Sequence, residues 1–121
     1  MKIEILKSKI HNATITKTLL DYEGSIGIDE EIIEIANLKE YEKVHVWNLN
    51  NGERFETYVI KEKRGSREIT LNGAAARLAH KGDKVIIASF ALLELNEEII
   101  PRIIILDENN NPKLIKQNEI S

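Results

Sequence analysis

The sequence predicts a small, mostly β barrel with two short helices, and three observations carry that prediction. Its 121 residues suit one domain and allow a core without staples. Isoleucine supplies 20 of them, and β-branched side chains fit pleated, half-buried surfaces. Glycines at 24, 27, 52, 65, 73 and 82 fall between apolar runs, as turns between short strands require. No repeat of solenoid period, low-complexity tract or linker breaks the pattern, so residues 1–121 read as a single domain.

The elements follow in chain order. Ile3 and Ile5 open an alternating strand on which Lys7, Lys9 and His11 share one face if the segment stays extended. A second strand is expected over Ala13 to Thr18. A Gly-rich stretch, residues 22 to 29, then leads to Asp29 as the N-cap of a short helix. Glu30 and Glu31 occupy its first turn, where the helix dipole favours acids, and Ile32, Ile33, Ile35, Ala36 and Leu38 form its buried stripe. Val44 to Leu49 alternates cleanly into Asn50-Asn51-Gly52, a hairpin signal, and Arg54 to Lys61 returns as the partner. On that partner Arg54, Glu56, Tyr58 and Ile60 share one face and Phe55, Thr57 and Val59 the other. Arg64-Gly65-Ser66 turns into a strand over Glu68 to Leu71. Asn72 or Gly73 would cap a second helix through His80. Lys81-Gly82-Asp83 turns into the apolar strand Val85 to Leu93. Ile99 to Leu106 and Lys113 to Ile115 form the last pair around the turn-rich Asp107–Pro112, and the tail beyond Ile115 is polar and read as loose.

Composition narrows the function. Seventeen Lys and Arg against 20 Asp and Glu give a net charge of -3, unlike the basic excess of a protein that grips phosphate backbones, so no nucleic-acid partner is expected. The absence of cysteine removes disulfides, thiolate nucleophiles and Cys-based metal sites. The N-terminus has no apolar core of a secretory signal. The longest apolar stretch, Val85 to Leu93, is broken by Ser89 and falls far short of the ~20 residues that span a bilayer. A cytoplasmic protein without a membrane partner is the expectation. Metalloprotease, P-loop and dinucleotide fingerprints are missing, and His11, His45 and His80 are too scattered for a metal site.

One dipeptide has chemistry of its own. In Gly24-Ser25 a serine hydroxyl can attack the carbonyl carbon of the preceding peptide bond and turn the amide into an ester. Glycine at the attacked position leaves the approach unblocked and tolerates a strained backbone. Read alone, a Gly-Ser pair is an ordinary turn. By the same standard Arg54 and Glu56 are an exposed ion pair, Thr57 and Tyr58 strand formers, Ala74 to Ala76 a helix run, and Lys9 a solvated charge.

The ordered motifs change that balance. Lys9-x-His11, Tyr22-Glu-Gly-Ser-Ile-Gly-Ile-Asp29, Trp47-Asn48, Asn51-Gly-Glu-Arg54-Phe-x-Thr57-Tyr58, Arg64-Gly-Ser-Arg67, Asn72-Gly-Ala-Ala-Ala76 and Gly82-Asp-x-Val-Ile-Ile-Ala-Ser-Phe90 together resemble the pyruvoyl-dependent aspartate 1-decarboxylases. The likeness runs through the chain, mainly over residues 9 to 90, while the part beyond Leu93 departs freely. It implies a six-stranded double-psi β-barrel, with Lys81-Gly82-Asp83-Lys84-Val85 as its recurring Gly-Asp turn. It also implies a homotetramer with active sites between subunits, and a precursor that cuts itself between Gly24 and Ser25. Residues 1–24 would become the small β chain and 25–121 the large α chain, its Ser25 converted to a pyruvoyl group that replaces pyridoxal phosphate or a metal. Whether the cut is spontaneous or aided by a maturation factor is left open.

The resemblance also implies roles. Thr57 would donate to the oxyanion of self-cleavage. L-aspartate would form a Schiff base with the pyruvoyl group, lose carbon dioxide and leave as β-alanine for pantothenate and coenzyme A synthesis, with Tyr58 as proton donor. Arg54 would anchor a substrate carboxylate through its planar fork. Lys9, His11, Thr57, Asn72 and the backbone of Gly73, Ala74, Ala75 and Ala76 would surround the substrate, with Tyr22 and Trp47 as walls. No role falls to His45, beside Trp47 on its strand, or to His80. The competing reading is a non-enzymatic binding or adaptor module on the same barrel.

Overall fold

The first strand sets the frame. In the computed structural model, which describes residues 1–116, β1 (Lys2–Thr14) lies between β7 (Lys84–Glu94), antiparallel, and β8 (Arg102–Leu106), parallel. Its ladder shifts register between Leu6 and Ser8 and again between Ile10 and Ala13, where Asn12 takes a positive φ of 62°. These bulges break the strict alternation expected of Lys7, Lys9 and His11. Lys7 turns to the Asn37 carbonyl (2.7 Å) and the Glu42 carboxylate (3.0 Å).

The remaining elements are β2 (Lys17–Leu19), β3 (Ser25–Asp29), α1 (Glu30–Ile35), β4 (Lys43–Asn48), β5 (Arg54–Glu62), β6 (Ile69–Asn72), a 3-10 turn (Gly73–Arg77) and β9 (Pro112–Lys116). The expected second strand is therefore split: Ala13 and Thr14 finish β1, and β2 starts at Lys17. Hydrogen-bonded neighbours run β2-β6-β3-β5-β4-β7-β1-β8-β9. The chain is mainly β, as expected, but with nine strands where six were expected. Among the described residues no ladder joins β2 to β9.

The helix count is also corrected, from two to one. α1 forms because Asp29 caps it, its carboxylate accepting from the Glu31 N–H at 2.8 Å, while Ile32 and Ile33 turn into the core. The second expected helix is the 3-10 turn. Gly73 at its start has φ +69°, which no α-helix accepts, and the Leu78 N–H bonds the Ala75 carbonyl three residues back. Good helix formers over so short a run do not meet the cost of nucleating an α-helix. The hairpin between β4 and β5 stands as expected, with Gly52 at φ +77° in its turn.

The core gathers Ile10, Ile26, Ile28, Ile32, Val44, Val46, Val59, Ile69, Leu71, Val85, Ile87 and Ile104, at most 1% exposed. α1 is pinned at its C-terminal end, where free carbonyls seek donors. Ser8 Oγ donates to Ala36 O and Arg102 Nη1 to Ile35 O at 2.7 Å, beside the Lys7 bond to Asn37. No helix among the described residues is long and apolar enough to cross a membrane. The polar tail lies outside the described residues apart from Lys116.

Candidate active site

The Gly24–Ser25 junction sits where β3 begins. Ser25 is 1% exposed and opposes Asn72 across the antiparallel β3–β6 ladder. Its Oγ accepts from Asn72 Nδ2 at 3.0 Å and donates to the Glu23 carbonyl at 3.3 Å. Asn72 Oδ1 is buried and has no hydrogen-bond partner. A β-carbon added at Gly24 would meet nothing within 4 Å, so the backbone there is open to approach.

Gly73 holds the junction from the other side. A β-carbon there would lie 2.6 Å from Tyr22 O and 2.7 Å from Gly24 N, and φ +69° disfavours any other residue. Gly73→Ala should therefore displace the Tyr22–Gly24 segment. The expected result is a destabilisation of about 1–2 kcal/mol, which urea unfolding checks.

Register brings Thr57 and Tyr58 to the same place. The parallel β3–β5 ladder starts at Ile26–Val59, so Ser25 and Tyr58 lie one step upstream, and Gly24 and Thr57 two. The structure thus gathers Tyr22, Gly24, Ser25, Asn72, Gly73, Thr57 and Tyr58 at one end of β3. Tyr58 also packs near Tyr41, ring centres 6.4 Å apart. Ala75 and Ala76 are half-buried beyond Gly73, and Ala74 is exposed.

Arg54 and Trp47 form a second cluster. They oppose each other across the β4–β5 hairpin, and the Arg54 guanidinium stacks 4.6 Å from the Trp47 ring centre. With Glu4, His45, Phe55, Glu56 and Phe90 they line a cleft of about 460 Å³. Arg54 is four residues from Tyr58, about 13 Å along a strand. Lys9 and His11 stand half-buried on β1; burial first, and then the nearby Lys9 charge, hold His11 below the usual imidazole range.

Two sets of charged contacts add to these residues. Glu56 carries Lys43 (3.3 Å) and His45 (3.6 Å) on its carboxylate. The cross-strand pairing His45–Glu56 follows from the hairpin turn at Asn50–Asn51. Asp29, fully buried, accepts from the N–H groups of Glu31, Gly65 and Arg67 and from the Arg67 side chain. Only its cap bond is local. Among the described residues no group of three or more His, Asp or Glu could hold a metal ion.

These features define a small β domain organised around a glycine–serine junction whose serine is buried with an amide side chain on it. The sequence model of the aspartate decarboxylase family matches residues 1–113, and the chain belongs to that family. Curated relatives named aspartate 1-decarboxylase agree along nearly their whole lengths. One from Ralstonia nicotianae is 53% identical over 120 residues, covering 96% of this chain and 98% of its own. One from Coprothermobacter proteolyticus is 56% identical over 117 residues, covering 97% and 98%. One from Caldicellulosiruptor saccharolyticus is 58% identical over 118 residues, covering 96% and 91%.

Proposed function

We propose that this chain is a self-processing aspartate decarboxylase that converts L-aspartate to β-alanine and carbon dioxide, feeding pantothenate synthesis. The observation that carries the reading is the Gly24–Ser25 junction, its serine buried and held by Asn72, in a chain of the aspartate decarboxylase family. Ser25 Oγ attacks the Gly24 carbonyl carbon, and its proton passes to the departing nitrogen. Thr57, two steps along the β3–β5 register, supplies a donor to the oxyanion. Loss of the α-proton of residue 25 then expels the Gly24 carboxylate. Water finally replaces the nitrogen, which leaves as ammonia, so residues 1–24 and 25–121 become two chains and residue 25 keeps a keto group.

The surroundings fit that group: Asn72 Oδ1 is a buried acceptor with no donor, and Gly73 leaves backbone room at its side. The pyruvoyl ketone supplies an electron sink for the amino acid's α-carbon, which is why no pyridoxal phosphate or metal enters the reading. Tyr58 protonates the carbon that loses carboxylate. Arg54 receives a substrate carboxylate in its planar fork, and Trp47 and Tyr22 wall the site. Lys9 and His11 add positive surroundings for a dicarboxylate, and Ala74 to Ala76 complete the lining.

The separation of Arg54 from the junction supports an intersubunit site. The Arg54 backbone lies about 13 Å along the strand from Tyr58 and its guanidinium stacks on Trp47, which fits one subunit's cleft serving its neighbour's junction within a homotetramer. The family's double-psi barrel is the finer fold reading. It is supported by the bonds of Ile15 to Asp83 and Gly82, which continue the β1–β7 ladder, and of Thr16 to Ile69, which leads into the β2–β6 ladder, so that one short segment bridges the two. On this reading the protein is cytoplasmic.

Denaturing mass spectrometry of aged protein is expected to find two fragments meeting at Gly24/Ser25, the larger one reactive to a hydrazine probe. The same sample should release carbon dioxide from aspartate. Turnover by a wholly uncut, carbonyl-free chain would refute the reading.

A further inference from the structure

We infer that Lys43 and His45 are positioning residues that keep Arg54 free for the substrate carboxylate by holding Glu56 away from it, an inference that rests on the decarboxylase reading above. Arg54 and Glu56 lie on one face of β5, two residues apart, which places their backbones only about 6.6 Å from each other. Both side chains are long enough to meet, and a guanidinium takes a carboxylate bidentately. A carboxylate tethered so close competes with dissolved aspartate at a high effective concentration.

The expected Arg54–Glu56 pair is nonetheless not made. Glu56 Oε2 lies 3.3 Å from Lys43 Nζ, and Glu56 Oε1 lies 3.6 Å from His45 Nδ1. His45 is fixed in turn by an edge-on contact with Phe90, ring centres 5.3 Å apart at 88°. Arg54 stacks on Trp47, and among the described residues no carboxylate pairs with it. Lys43 supplies the charge that draws Glu56 across the hairpin; His45, opposite it in register, supplies the direction. Glu4, the cleft's other acid, comes from β1.

The test compares three processed proteins: the parent, Lys43→Gln/His45→Phe, and that double variant with Glu56→Gln added. Phenylalanine keeps an aromatic ring against Phe90, and Glu4 is common to all three. The double variant should raise KM for aspartate about three- to fivefold with kcat within about twofold, the range set by an exposed ion pair. Adding Glu56→Gln should restore KM. Trp47 is the only tryptophan, so its emission should shift when Arg54 leaves the ring and return in the triple variant. Unchanged KM and emission in the double variant, or a KM rise that survives Glu56→Gln, overturns the inference. A parent that does not decarboxylate aspartate sinks the decarboxylase reading by itself, and the Trp47 emission then still decides whether Lys43 and His45 set the position of Arg54.

Discussion

Ser25→Ala is expected to yield a folded chain that stays at its full 13.8 kDa and releases no carbon dioxide from aspartate above background. Removing the hydroxyl deletes the nucleophile of the cut and the atom from which the keto group is made, so no partial activity survives. The fold tolerates the change. The loss at the site is one bond from Asn72 Nδ2 at 3.0 Å and one weak bond to Glu23 O at 3.3 Å, about 1–2 kcal/mol together. Intact mass and circular dichroism separate an uncut folded chain from an unfolded one. Retained aspartate turnover would contradict the assignment of Ser25.

The second large effect is on stability. Asp29→Ala should destabilise the protein by about 3–5 kcal/mol at pH 7, since it leaves buried donors of Glu31, Gly65 and Arg67 without an acceptor. The pH dependence has a definite sign. Burial pushes the Asp29 carboxyl upward, but backbone N–H donors from Arg67, Gly65 and Glu31, with the Arg67 charge, outweigh it and hold the group below the usual range. A carboxyl depressed in the folded state stabilises fully above its unfolded value, about 3.9, and the contribution fades as pH falls through the folded value. Urea unfolding of the parent and Asp29→Asn should therefore differ most near pH 7 and converge as pH falls below the usual carboxylate range. A gap that widens in acid would contradict this.

Local signals carried most of the fold. Alternation over Val44 to Leu49 with Asn50-Asn51-Gly52 marked the hairpin, because turn chemistry and period act over a few residues. Asp29 was legible as a cap for the same reason. Its grip on Gly65 and Arg67, 36 and 38 residues away, was not, since nothing near Asp29 announces those donors. The second helix failed at Gly73, whose positive φ answers to Tyr22 and Gly24 rather than to the alanines beside it. The site followed a similar division. Ordered motifs named Ser25, Asn72, Thr57 and Tyr58, and the β3 ladders place them together. Arg54 and Trp47 carried the same motif evidence yet lie in a separate cleft, a separation that only strand register reveals.

The interior position of the first strand has a consequence for a severed molecule. Its thirteen residues are zipped between two neighbours, and it reaches over to tether the far end of the helix through Lys7 and Ser8. A break after Gly24 thus frees two chain ends without freeing either piece: the shorter peptide stays threaded through its sibling, and the pair persists as one particle until the whole sheet melts.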